Sequence, residues 1–238
     1  MKLQNTQQEK KYLKDKKTRG LLDNPHKIKS KNIINHFKNN LNKKFIRTFY
    51  VAGSKLEENV LLRNGDDIDF FVVFNENKRA EFFDNLIKVN DELKQKYNNY
   101  DISFYKGPFK KENKILSHFT IYTDAKQDPL DVDGKNNASI HSECPFVLQN
   151  IFNHGKLLIG KPIENILGYG IDKLDLSQKQ TWPQEYYEQL IDTDILSFRD
   201  WIKNKDGIWK LVPSPQYAPK GSPLRNTLEK YFKKFINS

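Results

Sequence analysis

Residues 67–74 read Asp-Ile-Asp-Phe-Phe-Val-Val-Phe, and no other stretch constrains the fold of this chain as much. The β-branched and aromatic run marks a strand. Alternate residues of a strand share a face, so Asp67 and Asp69 project to one side while Ile68 and Phe70 project to the other. Two carboxylates held that close repel each other unless something offsets their charge, and a divalent cation is the natural solution. Mg²⁺ prefers oxygen ligands and is often held by one or two carboxylates plus substrate phosphates. Asp66 extends the acidic run, but alternation points it away from the pair, so it is expected to cap the turn instead. An Asp-x-Asp also recurs in surface loops, so its meaning depends on its surroundings.

Those surroundings read as an α/β unit. Ile33, Ile34, Phe37 and Leu41 recur at helical spacing from about Lys27 to Leu41. Phe45 to Ala52 is a strand, closed by Gly53-Ser54, and Asn64-Gly65 signals a turn before the acidic strand. An amphipathic helix follows over about Arg79–Tyr97, then strands over Asp101–Tyr105 and Ile115–Thr123. Residues 124–145 are irregular and polar, and a helix begins at Phe146 that Gly155 or Gly160 would stop. Two further helical patterns, about Gln184–Lys203 and Pro223–Ile236, flank a segment rich in Pro and Gly. The organisation expected is a basic tail over 1–20, a catalytic unit over 21–165 and a C-terminal helical region over 166–238.

Gly53-Ser54 ends one strand shortly before the acidic strand begins. A glycine there lets backbone N–H groups approach a phosphate, and the serine hydroxyl adds a hydrogen bond. Ala52-Gly53-Ser54, a spacer, and Asp66-Asp67-Ile68-Asp69-Phe70-Phe71-Val72-Val73 together resemble the signature of the DNA polymerase β-like nucleotidyltransferase superfamily. The element order to about Ile163 is similar to that family's core. The resemblance implies a nucleotidyltransferase-type mixed sheet flanked by helices. It implies that Gly53 and Ser54 grip the phosphates of a nucleoside triphosphate (ATP among the candidates), that Asp67 and Asp69 hold magnesium, two ions in all, and that a third carboxylate on a later strand completes the site. Asp101, opening the strand after the helix, is the favoured third acid; Asp131, in Leu-Asp-Val-Asp, is the alternative. Many members carry a second glycine after the serine, where this chain has Leu56-Glu57-Glu58-Asn59.

The chain carries 40 Lys and Arg against 30 Asp and Glu, a net charge of +10, which attracts nucleotides, nucleic acid or acidic partners and repels polycations. One cysteine, Cys144, excludes a disulfide framework within the chain. The N-terminus opens on Lys, Gln and Glu rather than an apolar leader, and no apolar run would span a bilayer, so a cytoplasmic protein without membrane association is expected. The histidines make no metal-like spacing, and His118, among apolar strand residues, reads as structural. Lys106, Lys110, Lys111 and Lys114 read as a solvated hairpin. Two functions follow as expectations: transfer of a nucleoside monophosphate to an acceptor hydroxyl with release of pyrophosphate, or, in the alternative, a non-catalytic nucleotide- or RNA-binding member of the same fold. Acceptor and oligomeric state are left open.

Overall fold

The computed structural model describes residues 28–53, 60–104, 114–131, 138–143, 145–168, 199–213, 215, 221 and 223–237. Its elements are α1 (Ser30–Asn40), β1 (Ile46–Ala52), β2 (Asp67–Phe74), α2 (Arg79–Lys96), β3 (Tyr100–Ser103), β4 (Ile115–Thr123), α3 (Pro145–His154), β5 (Lys156–Gly160), α4 (Ile163–Leu167), β6 (Arg199–Lys203), β7 (Trp209–Pro213) and α5 (Pro223–Asn237). Five strands form one mixed sheet in the order β3-β4-β2-β1-β5. β1 pairs antiparallel with β2 and β5, whereas β4 pairs parallel with β2 and β3. The expected mixed α/β sheet flanked by helices is observed.

β2 lies at the centre because both of its faces are apolar beyond the first turn of the strand. Ile68, Phe70, Val72 and Phe74 face one layer, with α1 (Ile33, Phe37) and α2 (Phe82, Phe83, Leu86). Phe71 and Val73 face the other, with Tyr50, Tyr122, α3 (Leu148, Ile151) and α4 (Ile163, Leu167). Phe70 stacks between Phe49 and Phe119 at ring separations of 5.3 and 4.8 Å, so three adjacent strands share one aromatic column. Asp67 and Asp69 lie on the second face by alternation, at the end of β2 that the buried cluster of that face does not reach.

Two expectations are corrected. The helix expected over 184–203 does not extend to its end: residues 199–203 are strand β6, paired antiparallel with β7, and 184–198 lie outside the described residues. The turn between β6 and β7 explains the difference. Asn204 Oδ1 accepts from the Asp206 and Ile208 N–H groups, and Gly207 adopts φ +82. Trp201 and Trp209 then enter the first layer, Trp209 stacking on Phe83 at 4.6 Å and Trp201 reaching it at 4.9 Å. Residues 156–160, expected as the tail of the helix starting near Phe146, form β5 beside β1, with Gly155 ending the helix. α5 packs against β7 and buries Leu228. Among the described residues no helix is long and apolar enough to cross a membrane.

Candidate active site

The site is built where β1 ends and β2 begins. Ala52 pairs with Asp69 across these strands, which brings Gly53, the next residue, against the acidic pair. Gly53 has φ +80, a conformation that L side chains rarely adopt, and a Cβ placed on it would lie 2.5 Å from Asp69 Oδ2. The backbone conformation therefore favours glycine, and a side chain there would push the Asp69 carboxylate from this position. Ser54, the partner expected on the phosphates, lies outside the described residues. Asp66 behaves as expected: it is 4% exposed, and its Oδ2 accepts the Arg63 N–H at 2.9 Å, closing the turn that carries Asn64-Gly65.

Across the sheet, β4 places His118 beside Asp69 in parallel register. Nδ1 of His118 lies 3.2 Å from Asp69 Oδ1. An ionised carboxylate only accepts, so Nδ1 carries the proton in this contact. Asp69 is thereby oriented by one oxygen toward the imidazole and by the other toward Gly53, with its side chain 46% exposed. His118, read from the sequence as structural, is the residue whose position beside Asp69 the sequence reading did not foresee. The available signal was strand alternation: His118, Thr120 and Tyr122 share one face of β4, and that face continues the one bearing Asp69.

The two candidates for the third acid are not brought to this pair. Asp101 pairs with Leu116, which pairs with Asp67, so a whole strand separates the two acids, roughly 10 Å at ~4.8 Å per strand spacing. Asp101 is engaged by Lys94 Nζ at 2.6 Å and Lys114 Nζ at 3.2 Å. Burial pushes its pKa up, but Lys94, the Ile102 N–H and Lys114 outweigh that and hold it below the usual aspartate value. Asp131 is 4% exposed, in the loop that leaves β4 beyond Thr123, and interacts with Arg199. Of the remaining lysines considered, only Lys114 is described. Arg225 is held by Glu229 at 2.9 Å.

Asp67 and Asp69 suit a hard divalent cation. Both donors are carboxylate oxygens on one face. Among the described residues no group of three His, Cys, Asp or Glu side chains is placed to hold a metal ion.

A further acid lies on β6. Asp200 is partly buried, and its pKa is pushed up to about 6, chiefly by burial, with the Trp201 N–H and His118 pulling the other way.

No protein-family model matches the chain, and no curated protein matches it. Solved structures that it resembles include spectinomycin adenyltransferase AAD(9) from Enterococcus faecialis with ATP and spectinomycin, at 16% identity over 87% of this chain and 90% of that one, TM-score 0.32. They also include the toxin-antitoxin MntA-HepT, at 15% identity over 68% of this chain and 94% of that one, TM-score 0.27. A toxin-antitoxin with AMP-PNP matches at 14% identity over 68% of this chain and 95% of that one, TM-score 0.28.

Proposed function

We propose that this chain is a divalent-cation-dependent nucleotidyltransferase that moves a nucleoside monophosphate from an NTP to an acceptor hydroxyl. The observation that carries the reading is the contact between Gly53 and Asp69. A glycine turn suited to phosphate and one of a pair of carboxylates suited to a cation are separate in sequence, yet Gly53 lies so close to Asp69 that a Cβ on it would displace the carboxylate. A triphosphate with its cation needs both at once.

Asp67 and Asp69 would hold the ion, which would neutralise charge on the triphosphate and make its α-phosphorus easier to attack. Gly53 leaves the backbone open to the β- and γ-phosphates, and Ser54 adds its hydroxyl. His118, donating to Asp69, holds that carboxylate in one orientation and so limits the reorganisation the site must undergo. The acceptor oxygen then bonds to the α-phosphorus in line, the bond to the β-phosphate bridge breaks, and pyrophosphate departs. Positioning and electrostatics account for most of the work in such transfers. Residues 21–165 supply the catalytic unit in this reading, and part of 166–238 frames the acceptor. The net charge of +10 favours an RNA end, a protein hydroxyl or an uncharged small molecule over a polycation.

The test is incubation of the protein with α-labelled NTPs and Mg²⁺ in the presence of total RNA, a protein pool or a small-molecule extract. Metal-dependent label transfer and pyrophosphate release are expected from the wild type and are expected to vanish in Asp69→Ala. Nucleotide binding without either product from any pool sinks the enzyme and leaves a non-catalytic binding protein.

A further inference from the structure

The end of the sheet away from the acidic pair carries a cavity of about 410 Å³. Ile46 and Arg47 reach it from the start of β1, Asp124 from just beyond β4, and Lys161, Asn165 and Ile166 from the stretch that runs from β5 into α4. Arg47 stands five residues before Ala52 on β1, roughly 17 Å from the Gly53–Asp69 contact at ~3.3 Å per residue. Cavities that take small organic molecules are of this size, about 300–1,000 Å³.

Backbone pairing brings two cations together here. The Lys161 N–H donates to the Arg47 carbonyl at 2.9 Å. Gly160 permits that approach: its φ is +85, and a Cβ on it would lie 2.1 Å from the same carbonyl oxygen. Arg47 and Lys161 thus project from adjoining positions although like charges repel. Asp124 offsets one of them. Its Oδ2 accepts from Arg47 Nε, and its Oδ1 accepts the Glu76 N–H at 2.8 Å, so both oxygens are engaged. Among the described residues nothing pairs with the Lys161 ammonium or with the terminal nitrogens of Arg47. Two cations against one carboxylate leave the lining at 2 − 1 = +1. Of the five N–H donors of a guanidinium Asp124 takes one, and an ammonium adds three more. Such a surplus of donors calls for a ligand rich in acceptors, and Ile46 and Ile166 beside it call for an organic body.

We propose that this cavity binds a small phosphate monoester, its oxygens bridging Arg47 and Lys161 and its organic part resting on Ile46 and Ile166. A phosphate monoester carries about −1.5 to −2 charge at neutral pH and three acceptor oxygens, enough for the guanidinium fork and the ammonium at once. A carboxylate has one charge and two oxygens, which the fork alone would occupy. Asp124 holds the guanidinium by Nε and leaves its terminal nitrogens to the ligand. The site stands apart from the nucleotidyl-transfer reading, since none of its residues takes part in that chemistry.

The experiment titrates the full chain, labelled with ¹⁵N, with phenyl phosphate, benzoate and phenol in about 0.15 M salt, where surface attraction is screened beyond about 8 Å. The three probes share one ring and differ in carrying a phosphate, a carboxylate or neither charge. Amide signals of Gly160, Lys161 and Asn165 report on the cavity, and those of Gly53 and Asp69 on the acidic pair. Phenyl phosphate is expected to shift the first group along a saturable curve at concentrations that leave the second in place. Benzoate is expected to bind several-fold more weakly, and phenol not to saturate. Lys161→Gln is expected to weaken phenyl phosphate about three- to fivefold, near the upper end for an exposed charged contact. No saturable shift at the cavity, or saturable shifts at Gly53 and Asp69 alone, overturns the proposal. Phenol binding as tightly as phenyl phosphate overturns it by reducing the site to an apolar cleft. Benzoate binding as tightly removes the phosphate assignment. Unchanged affinity in a natively folded Lys161→Gln removes the bridging role of the two cations, and the wild-type titrations decide the matter if that variant does not fold.

Discussion

Gly53 carries two constraints that no other residue type meets together: a positive φ and a carboxylate oxygen 2.5 Å from where its Cβ would be. Gly53→Ala is expected to cost about 1–3 kcal/mol of stability for the strained backbone. It is also expected to displace Asp69, so Mg²⁺-dependent mant-ATP binding should fall by more than the stability loss explains. Urea unfolding beside a binding titration checks this, and unchanged binding would show that Asp69 tolerates the methyl group. Asp200 allows a second residue-scale prediction whose sign is fixed by linkage. Its folded pKa, about 6, lies above its ordinary value of 3.8, so the native state holds a proton that the unfolded chain has released. Stability therefore declines as pH rises from about 4 to 6 and stays reduced above that. At about 1.4 kcal/mol per unit, the burden at pH 7.5 is about 2–3 kcal/mol. Asp200→Asn should be more stable than wild type by an amount of that order at pH 7.5 and equal to it near pH 4. A variant that is destabilised at pH 7.5 would instead mean that the ionised carboxylate has a stabilising partner.

The β6–β7 hairpin is the element that carries Asp200. Trp209, 9% exposed, lies flat on Phe83, and Arg79 donates to its carbonyl at 3.0 Å. Trp209→Ala is expected to cost about 3–5 kcal/mol, the usual range for truncating a buried aromatic. The indole Nε1 is buried without a hydrogen-bond partner among the described residues, so Trp209→Phe should cost far less. Thermal melts of the two variants decide this, and similar losses in both would mean the indole nitrogen has a partner after all. The same hairpin marks the limit of what the sequence makes legible. Residues 67–74 and 115–123 are strand-length runs rich in β-branched and aromatic residues, and the structure places strands over those same spans. Arg79–Lys96 repeats its apolar residues at helical spacing and is a helix. Residues 199–213 are different. Trp201 and Trp209 satisfy a period of two only when paired across Asn204–Ile208, and that pairing is a tertiary fact. Asp206-Gly207 was the local turn signal. The candidate site divides along the same line. Gly53, Asp67 and Asp69 lie in contiguous motifs and were legible. His118 belongs to a strand of its own and becomes a neighbour of Asp69 only through the pairing of β4 with β2. Asp101 and Asp131 drew attention because they open or follow strands, yet the sheet order inserts β4 between Asp101 and Asp67.

Over the whole molecule, the chain carries a net charge of +10, whereas the named ionisable groups of the candidate site are two aspartates, Asp67 and Asp69, and His118. The two fields act over different ranges. In the proposed reading the local acids would bind the cation, whereas the distributed lysines would act on the triphosphate and on any anionic acceptor before contact. Seven of the Lys and Arg residues and two of the acids fall within residues 1–20, which alone carry +5 of the +10. Replacing Lys10, Lys11, Lys14, Lys16 and Lys17 by Gln therefore leaves 10 − 5 = +5 without changing any residue of the site. If the positive field steers nucleotide to the site, the variant should associate with mant-ATP several-fold more slowly at low salt, because steering can raise on-rates by about 10-fold or more. The difference should vanish near 0.5 M salt, where the screening length falls to about 4 Å. Dissociation should be unaffected at either salt, since the contacts that hold the triphosphate lie at Gly53, Asp67 and Asp69. Stopped-flow binding at both ionic strengths separates these quantities. A variant that instead releases nucleotide faster would place residues 1–20 in direct contact with it, and the tail would then belong to the binding site rather than to the field around it.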